Sequence, residues 1–184
     1  MWANVSNVQA VSGGTFAGVA ILGTASADLI DLSAVTLTNI ARIDGGAGVD
    51  TLLGSSGADA LYGGAGRDVQ TGGAGADRFV LSLTTDSRAA SGIDEITDFV
   101  VGADKLDLSL IDASTIVAGN QAFTFIGQSA YTGVAGQLRI DTGTAGYTRV
   151  LGDVNGDRVD DFEVRLLWAD PQTPIIPAGT DVVL

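Results

Sequence analysis

The sequence predicts an all-β protein in which a stack of like coils is followed by antiparallel strands. Three observations carry this. Residues 45–80 are four tandem nonapeptides, GGAGVDTLL, GSSGADALY, GGAGRDVQT and GGAGADRFV, and a fixed short period means one structural unit stacked on itself. Of the 184 residues 46% are hydrophobic but only 6% aromatic, a small-residue β composition rather than that of a disordered chain. From residue 110 on, AFTFIG, QLRID, YTRVLGD and DFEVRLLW alternate between glycine-containing turns, as half-buried antiparallel strands do.

Over residues 1–44 the apolar spacings are short. Val5, Val8 and Val11, then Val19, Ile21 and Leu22, then Ile30, Leu37, Ile40 and Ile43 read as short strands between turns. In the nonapeptide block that follows, Asp50, Asp59, Asp68 and Asp77 recur at the ninth residue. A glycine stands five places before each (Gly45, Gly54, Gly63, Gly72) and another two before (Gly48, Gly57, Gly66, Gly75). In three turns a further glycine follows the first, at Gly46, Gly64 and Gly73. Glycine opens backbone conformations closed to other residues. A carboxylate at the same point of every turn makes a ladder of hard oxygen ligands, which suits calcium. Without a counter-ion those charges repel along the stack.

This block resembles the RTX family of calcium-binding nonapeptide repeats, with the pattern G-G-x-G-x-D-x-U-x and U a large apolar residue. The resemblance implies a parallel β-roll: six residues of each repeat form a calcium-binding turn, three form a strand, and two repeats complete a coil. Asp50 then faces Asp68 across one ion and Asp59 faces Asp77 across another, with carbonyls of the glycine turns completing each shell. Leu52, Leu61 and Phe79 take the U positions and fill the core. GTASADLID, from Gly23 to Asp31, is a degenerate copy. Its Asp28 precedes Asp50 by one 18-residue coil plus four and is expected to stack below it with a bulged return, either binding metal or capping its turn. Two positions depart from the pattern. Ser55 replaces a second glycine, and Gln70 stands at a U position, where its amide needs partners; either the third strand is irregular or Val69 packs instead.

After Val80 the period ends. Residues 84–92 read as a polar loop, with Asp86 outside the ladder. Ile93 to Ser109 reads as two strands joined at the Val-Gly-Ala-Asp turn and resembles the segment that follows RTX repeats, with Asp94, Asp98, Asp104 and Asp107 on its pattern. The resemblance implies calcium ligation by some of these, Asp98, Asp104 and Asp107 among them; the alternative is turn capping and edge protection. A short helix is expected over 110–116. Asp153, Asn155 and Asp157 alternate as in a calcium loop, but Arg158 and Val164 stand where an EF-hand needs glycine and glutamate; the alternatives are a looser site closed by Asp161 or Glu163 and the hairpin that Asn-Gly favours. Pro171, Pro174 and Pro177 mark an extended connector. Residues 72–184 resemble the C-terminal domain of serralysin-type secreted metalloproteases, and the terminal Asp181-Val182-Val183-Leu184 resembles the signature of type I export. The implied organisation is irregular coils over 1–44, the calcium roll over 45–80, a serralysin-like β region over 81–168 and a tail with the type I secretion signal over 169–184.

Composition narrows the function. With 22 acidic against 9 basic residues the formal charge is −13, which disfavours nucleic acid and anionic membranes and favours bound cations. There is no cysteine, hence no disulfide, and no histidine, so the H-E-x-x-H zinc helix of the serralysin catalytic half is not in this chain. No apolar run is long enough to span a bilayer, and MWANVSNVQA lacks the basic start and apolar core of a signal peptide. The expectation is a noncatalytic, secreted calcium-binding module. It leaves unfolded through a type I secretion apparatus, folds outside on calcium and stabilises a covalently linked partner domain. The alternatives are a polysaccharide-binding module, resembling the repeat modules of alginate epimerases, and an adhesin or surface-layer segment. The polysaccharide alternative needs Arg67, Arg78, Arg88, Lys105, Arg139, Arg149, Arg158 and Arg165, with Trp168 and Tyr131, to gather on one face.

Overall fold

The computed structural model describes residues 10–16, 18–143, 146–168, 175 and 177–184. Val5, Val8, Pro171 and Pro174 lie outside them. Among the described residues all regular structure is β, and no helix is long and apolar enough to cross a membrane.

In chain order the N-terminal strands are β1 (Ala10–Ser12), β2 (Val19–Leu22), β3 (Leu29–Asp31), β4 (Thr36–Thr38) and β5 (Ile40–Asp44). The repeats form β6 (Ala47–Gly48), β7 (Thr51–Leu53), β8 (Ala60–Tyr62), β9 (Ala65–Gly66), β10 (Val69–Thr71) and β11 (Arg78–Val80). Next come β12 (Asp94–Ile96), β13 (Lys105–Asp107), β14 (Thr124–Phe125), β15 (Gln137–Asp141), β16 (Tyr147–Asp153), β17 (Phe162–Leu167) and β18 (Val182–Val183).

The chain winds these strands alternately into two sheets. One is β2-β5-β8-β11-β13-β18, and every neighbour is parallel. The other runs β3-β7-β10-β12-β17 in parallel and then turns antiparallel through β16 and β15. Thr51 pairs with Val69 and Ala60 with Arg78, so residues one 18-residue coil apart are neighbours, which is the parallel β-roll. β12 and β13 extend it, one on each sheet. β18 returns from the chain end to pair Leu106 with Val182. In the first coil β4 leaves the roll to pair with β1, and β2 meets β5 with a register shift after Val19.

The inner residue of each three-residue strand forms the core. Ile30, Leu52, Gln70, Ile96 and Leu166 align across one sheet. Ile43, Leu61, Phe79, Leu106 and Val182 align across the other. Leu52, Leu61 and Phe79 are fully buried. Two expectations for the third strand are corrected here. β10 is regular, and Gln70 itself points inward, buried, with its Oε1 lacking a hydrogen-bond partner. A one-residue slip that brought Val69 inward would flip the whole strand, and the paired strands on either side hold the register against the polar misfit.

Two further expectations are corrected downstream. Residues 110–116 form turns, not a helix. Asp112 Oδ1 accepts the N–H groups of Ser114 and Gln121, and such local side-chain bonds compete with a helical backbone. β14 pairs with β15 in parallel, not antiparallel. The hairpin expected around Asn155-Gly156 is present between antiparallel β16 and β17. Its loop is closed internally: Asp153 accepts from Asn155, Gly156 and Arg158, and Asp161 accepts from Val154.

Candidate metal centre

The roll stacks its aspartates in two columns. In the first, the N–H of Asp28 donates to Asp50 Oδ1, that of Asp50 to Asp68 Oδ1, and that of Asp68 to Asp94 Oδ1, all at 2.8–2.9 Å. In the second, the N–H of Asp59 donates to Asp77 Oδ1 and that of Asp77 to Asp104 Oδ1, each at 2.9 Å. One oxygen of each carboxylate thus joins its coil to the preceding one. The spacing brings Asp50 to Asp68 and Asp59 to Asp77, and it brings Asp28 beneath Asp50 despite the longer first coil.

The second carboxylate oxygen distinguishes the residues. Oδ2 of Asp50, Asp68, Asp77 and Asp94 is buried and has no hydrogen-bond partner. A buried carboxylate oxygen left unpaired is costly, and native structures seldom retain one without a partner such as a bound ion. The glycines that open the turns shape the space around these oxygens. A Cβ on Gly45 would lie 2.7 Å from Asp50 Oδ2 and 2.6 Å from the Gly63 carbonyl oxygen. One on Gly63 would lie 2.6 Å from Asp68 Oδ2, and one on Gly72 would strike Asp77 Oδ2. A side chain there would fill the space that the carboxylate and the neighbouring carbonyl share. Gly48, Gly66 and Gly75 leave no room for a side chain over the coil before them, so the turns stack in close contact. Among the described residues no three acidic side chains converge on one point. A cation would therefore be held by carboxylates in pairs and by turn carbonyls. This all-oxygen donor set fits calcium.

Burial sets the charge state. It is the first cause raising the pKa of Asp68 and Asp77 to about 6 and that of Asp94 to about 9. Asp50 is raised in the same way. Hydrogen bonds from the neighbouring coil oppose the rise, and like charges add to it: Asp50 and Asp86 on Asp68, Asp104 and Asp59 on Asp77, Asp68 and Asp86 on Asp94. All four carboxylates with an unpaired oxygen resist ionisation, and burial raises the hydrogen-bonded Asp86 and Asp161 as well.

The other predicted acids lie differently. Asp98 accepts Gly72 and Gly73 N–H on its two oxygens and so holds the last glycine turn. Asp104 Oδ2 accepts the Val100 N–H. Asp107 accepts from Ser109 and pairs with Arg78 at 3.2 Å. In the Ser-containing turn, Ser55 N–H and Oγ both donate to Asp59 Oδ2. Gly54 and Gly57 flank that turn. Asp86, expected to lie apart from the ladder, is buried, and its Oδ2 accepts the Ser82 and Leu83 N–H groups. Next to it, Ser87 Oγ accepts the Asp94 N–H and donates to the Glu163 carbonyl.

The basic residues do not form one strip. Arg139, Arg149 and Arg165 lie on the sheet that contains β15–β17, and Arg78 and Lys105 lie on the other. Most are neutralised: Arg149 by Glu163, Asp141 and Asp160, Arg165 by Glu163, Arg67 by Glu95, Arg78 by Asp107 and Lys105 by Asp181.

Stacked parallel coils with glycine turns and an aspartate ladder define an RTX-type β-roll. The chain belongs to the peptidase M10 serralysin C-terminal family, whose model matches residues 20–176. Two solved structures from the Azotobacter vinelandii mannuronan C5-epimerase are similar to it. The AlgE6R2 subunit is 29% identical with a TM-score of 0.59, over 89% of this chain and 91% of that one. The AlgE6R3 subunit is 25% identical with a TM-score of 0.52, over 94% and 82%. No curated protein matches the sequence significantly.

Proposed function

We propose that this chain is a noncatalytic, calcium-binding folding module of a secreted protein. The carrying observation is the set of buried, unpartnered Oδ2 atoms at Asp50, Asp68, Asp77 and Asp94. Calcium lies between stacked turns, held by the Asp50–Asp68 and Asp68–Asp94 pairs and by glycine-turn carbonyls such as those of Gly45 and Gly63, with Asp77 the corresponding acid of the second column. Magnesium demands a tighter octahedral shell and keeps its waters, so it satisfies this site poorly.

Linkage supplies the mechanism. A ligand that binds only the folded state stabilises it by mass action. Without calcium the ladder places repelling carboxylates in a low-dielectric stack, and its glycine turns carry a large conformational cost. In calcium-poor cytosol the chain stays open for type I export, with Asp181 to Leu184 as its export signature. In calcium-rich surroundings it folds and stabilises a covalently linked partner domain. Asp181 is buried and accepts the Ala178 and Gly102 N–H groups, and Val182 pairs with Leu106. The same terminus thus closes the roll once it folds.

Equilibrium dialysis tests the binding step. Saturable calcium uptake that an equal concentration of magnesium does not displace is expected. No uptake at millimolar calcium would rule the proposal out. Binding of an anionic polysaccharide is a second proposal, supported by the likeness to the epimerase subunits. The pairing of most basic residues with acids weighs against it, and retention on an alginate column would favour it.

A further inference from the structure

The turns fall into two kinds, and in all but that of Asp94, which follows a longer loop and has Ala90 at this place, the residue four places before the aspartate separates them. In four turns that residue turns its N–H onto the aspartate's Oδ2. Thr24 does so to Asp28 at 2.6 Å, Ser55 to Asp59 at 2.6 Å, Ser82 to Asp86 at 3.0 Å and Val100 to Asp104 at 2.8 Å. Thr24 and Ser55 add their hydroxyls to the same oxygen, at 2.7 and 2.9 Å. In the three turns with glycine at this place, Oδ2 of Asp50, Asp68 and Asp77 has no partner.

The backbone accounts for the difference. Gly46, Gly64 and Gly73 take φ of +96°, +94° and +96°, a left-handed conformation that L side chains rarely adopt. Their N–H groups do not reach their own aspartates: Gly46 donates to Asp44 and Gly73 to Asp98. Thr24 and Ser55 are not among the positive-φ residues.

We propose that this position selects which turns respond to calcium. A glycine leaves the carboxylate oxygen open to the cation, whereas Thr24 or Ser55 closes it and lets the turn form without metal. The proposal rests on the calcium reading above and refines it. The two columns are then unequal. The first offers consecutive open oxygens at Asp50, Asp68 and Asp94. The second offers Asp77 alone, between the closed carboxylates of Asp59 and Asp104. Calcium loads the first column, and the second is the side of the roll that forms ahead of it.

The test is to count bound calcium by equilibrium dialysis in the wild type, Ser55→Gly, Ser55→Ala and Thr24→Gly, with folding in saturating calcium checked by circular dichroism. Glycine already occupies this place in three sister turns, so both glycine variants have a folded geometry available. Ser55→Gly pairs an opened Asp59 with Asp77 and is expected to gain about one ion per chain. Thr24→Gly opens Asp28 beneath Asp50 and is expected to do the same, which gives an independent answer should Ser55→Gly not fold. Ser55→Ala keeps the closing N–H and is expected to keep the wild-type count. Unchanged counts in both glycine variants, with calcium still bound by the wild type, would overturn this selection rule and leave the calcium reading intact. No calcium bound by any of the four proteins would overturn both.

Discussion

Asp68→Asn is expected to make the chelated protein more stable at pH 8 while weakening its response to calcium by roughly 10-fold or more. Asp68 stands mid-column: its Oδ1 accepts the Asp50 N–H, its own N–H donates to Asp94, and its Oδ2 has no partner. It is fully buried. Burial first, then the charges of Asp50 and Asp86, lift its pKa to about 6. Ionised at pH 8 without metal, it destabilises the fold by an amount of order 1–3 kcal/mol. Asparagine keeps the acceptor that joins the coils and removes the charge. Alanine removes both and leaves the Asp50 N–H buried and unpaired, a cost of about 1–3 kcal/mol. In chelator the two substitutions therefore act with opposite signs, and in calcium both are harmful. Residual β signal in chelator and the calcium midpoint of folding, compared among the wild type and both variants, read this directly. Equal destabilisation by Asn and Ala in chelator would show that the charge carries no strain.

The chelated protein is also expected to lose stability between pH 5 and pH 8, and calcium to reverse the loss. The folded pKa values are raised, to about 6 for Asp68 and Asp77 and about 9 for Asp94, from an ordinary 3.8. A raised carboxyl contributes fully below its unfolded pKa and loses that contribution as pH rises through its folded pKa. The decline therefore begins near pH 4, is steepest between about 4 and 6, where all three carboxyls hold protons the unfolded chain has lost, and continues more gently towards 9 through Asp94 alone. Glu163 opposes this. Burial raises its pKa, but hydrogen bonds from Arg149 and Arg165 outweigh burial and leave it lowered. Its contribution is present above its ordinary pKa and is lost as pH falls, so stability also drops in strong acid. With its pKa raised to about 9, Asp94 is expected to hold a proton at neutral pH that calcium displaces, so binding at pH 7 is expected to release about one proton. Calorimetric titrations in two buffers of different ionisation enthalpy measure that release. A buffer-independent heat would mean that Asp94 is not a ligand.

The ladder was legible because glycine and aspartate share a period with the coil: Asp50, Asp59, Asp68 and Asp77 fall where the spacing puts them, and Asp28 follows from its degenerate copy. Asp94 was harder to see as the next rung. It stands 26 residues beyond Asp68 rather than 18, because the loop carrying Asp86 and Ser87 replaces a six-residue turn. Asp86 looked like loop polarity, and only the folded chain shows its carboxylate capping Ser82 and Leu83. The inward Gln70 contradicts local hydrophobic logic because strand register is set by the neighbours. β18 pairs with β13 across some 75 residues of chain, a contact that no local pattern encodes. The division into open and closed turns was present only as Ser55 breaking the glycine pattern. Its meaning depends on the direction of one N–H, which follows from a backbone torsion rather than from residue type alone.

The central claim is that calcium completes this fold, and a calcium titration of chelator-treated protein at pH 8, followed by far-UV circular dichroism, tests it most directly. The account predicts a cooperative gain of β signal with calcium and none with the same concentration of magnesium. Full β signal in chelator, unchanged by added calcium, would contradict it.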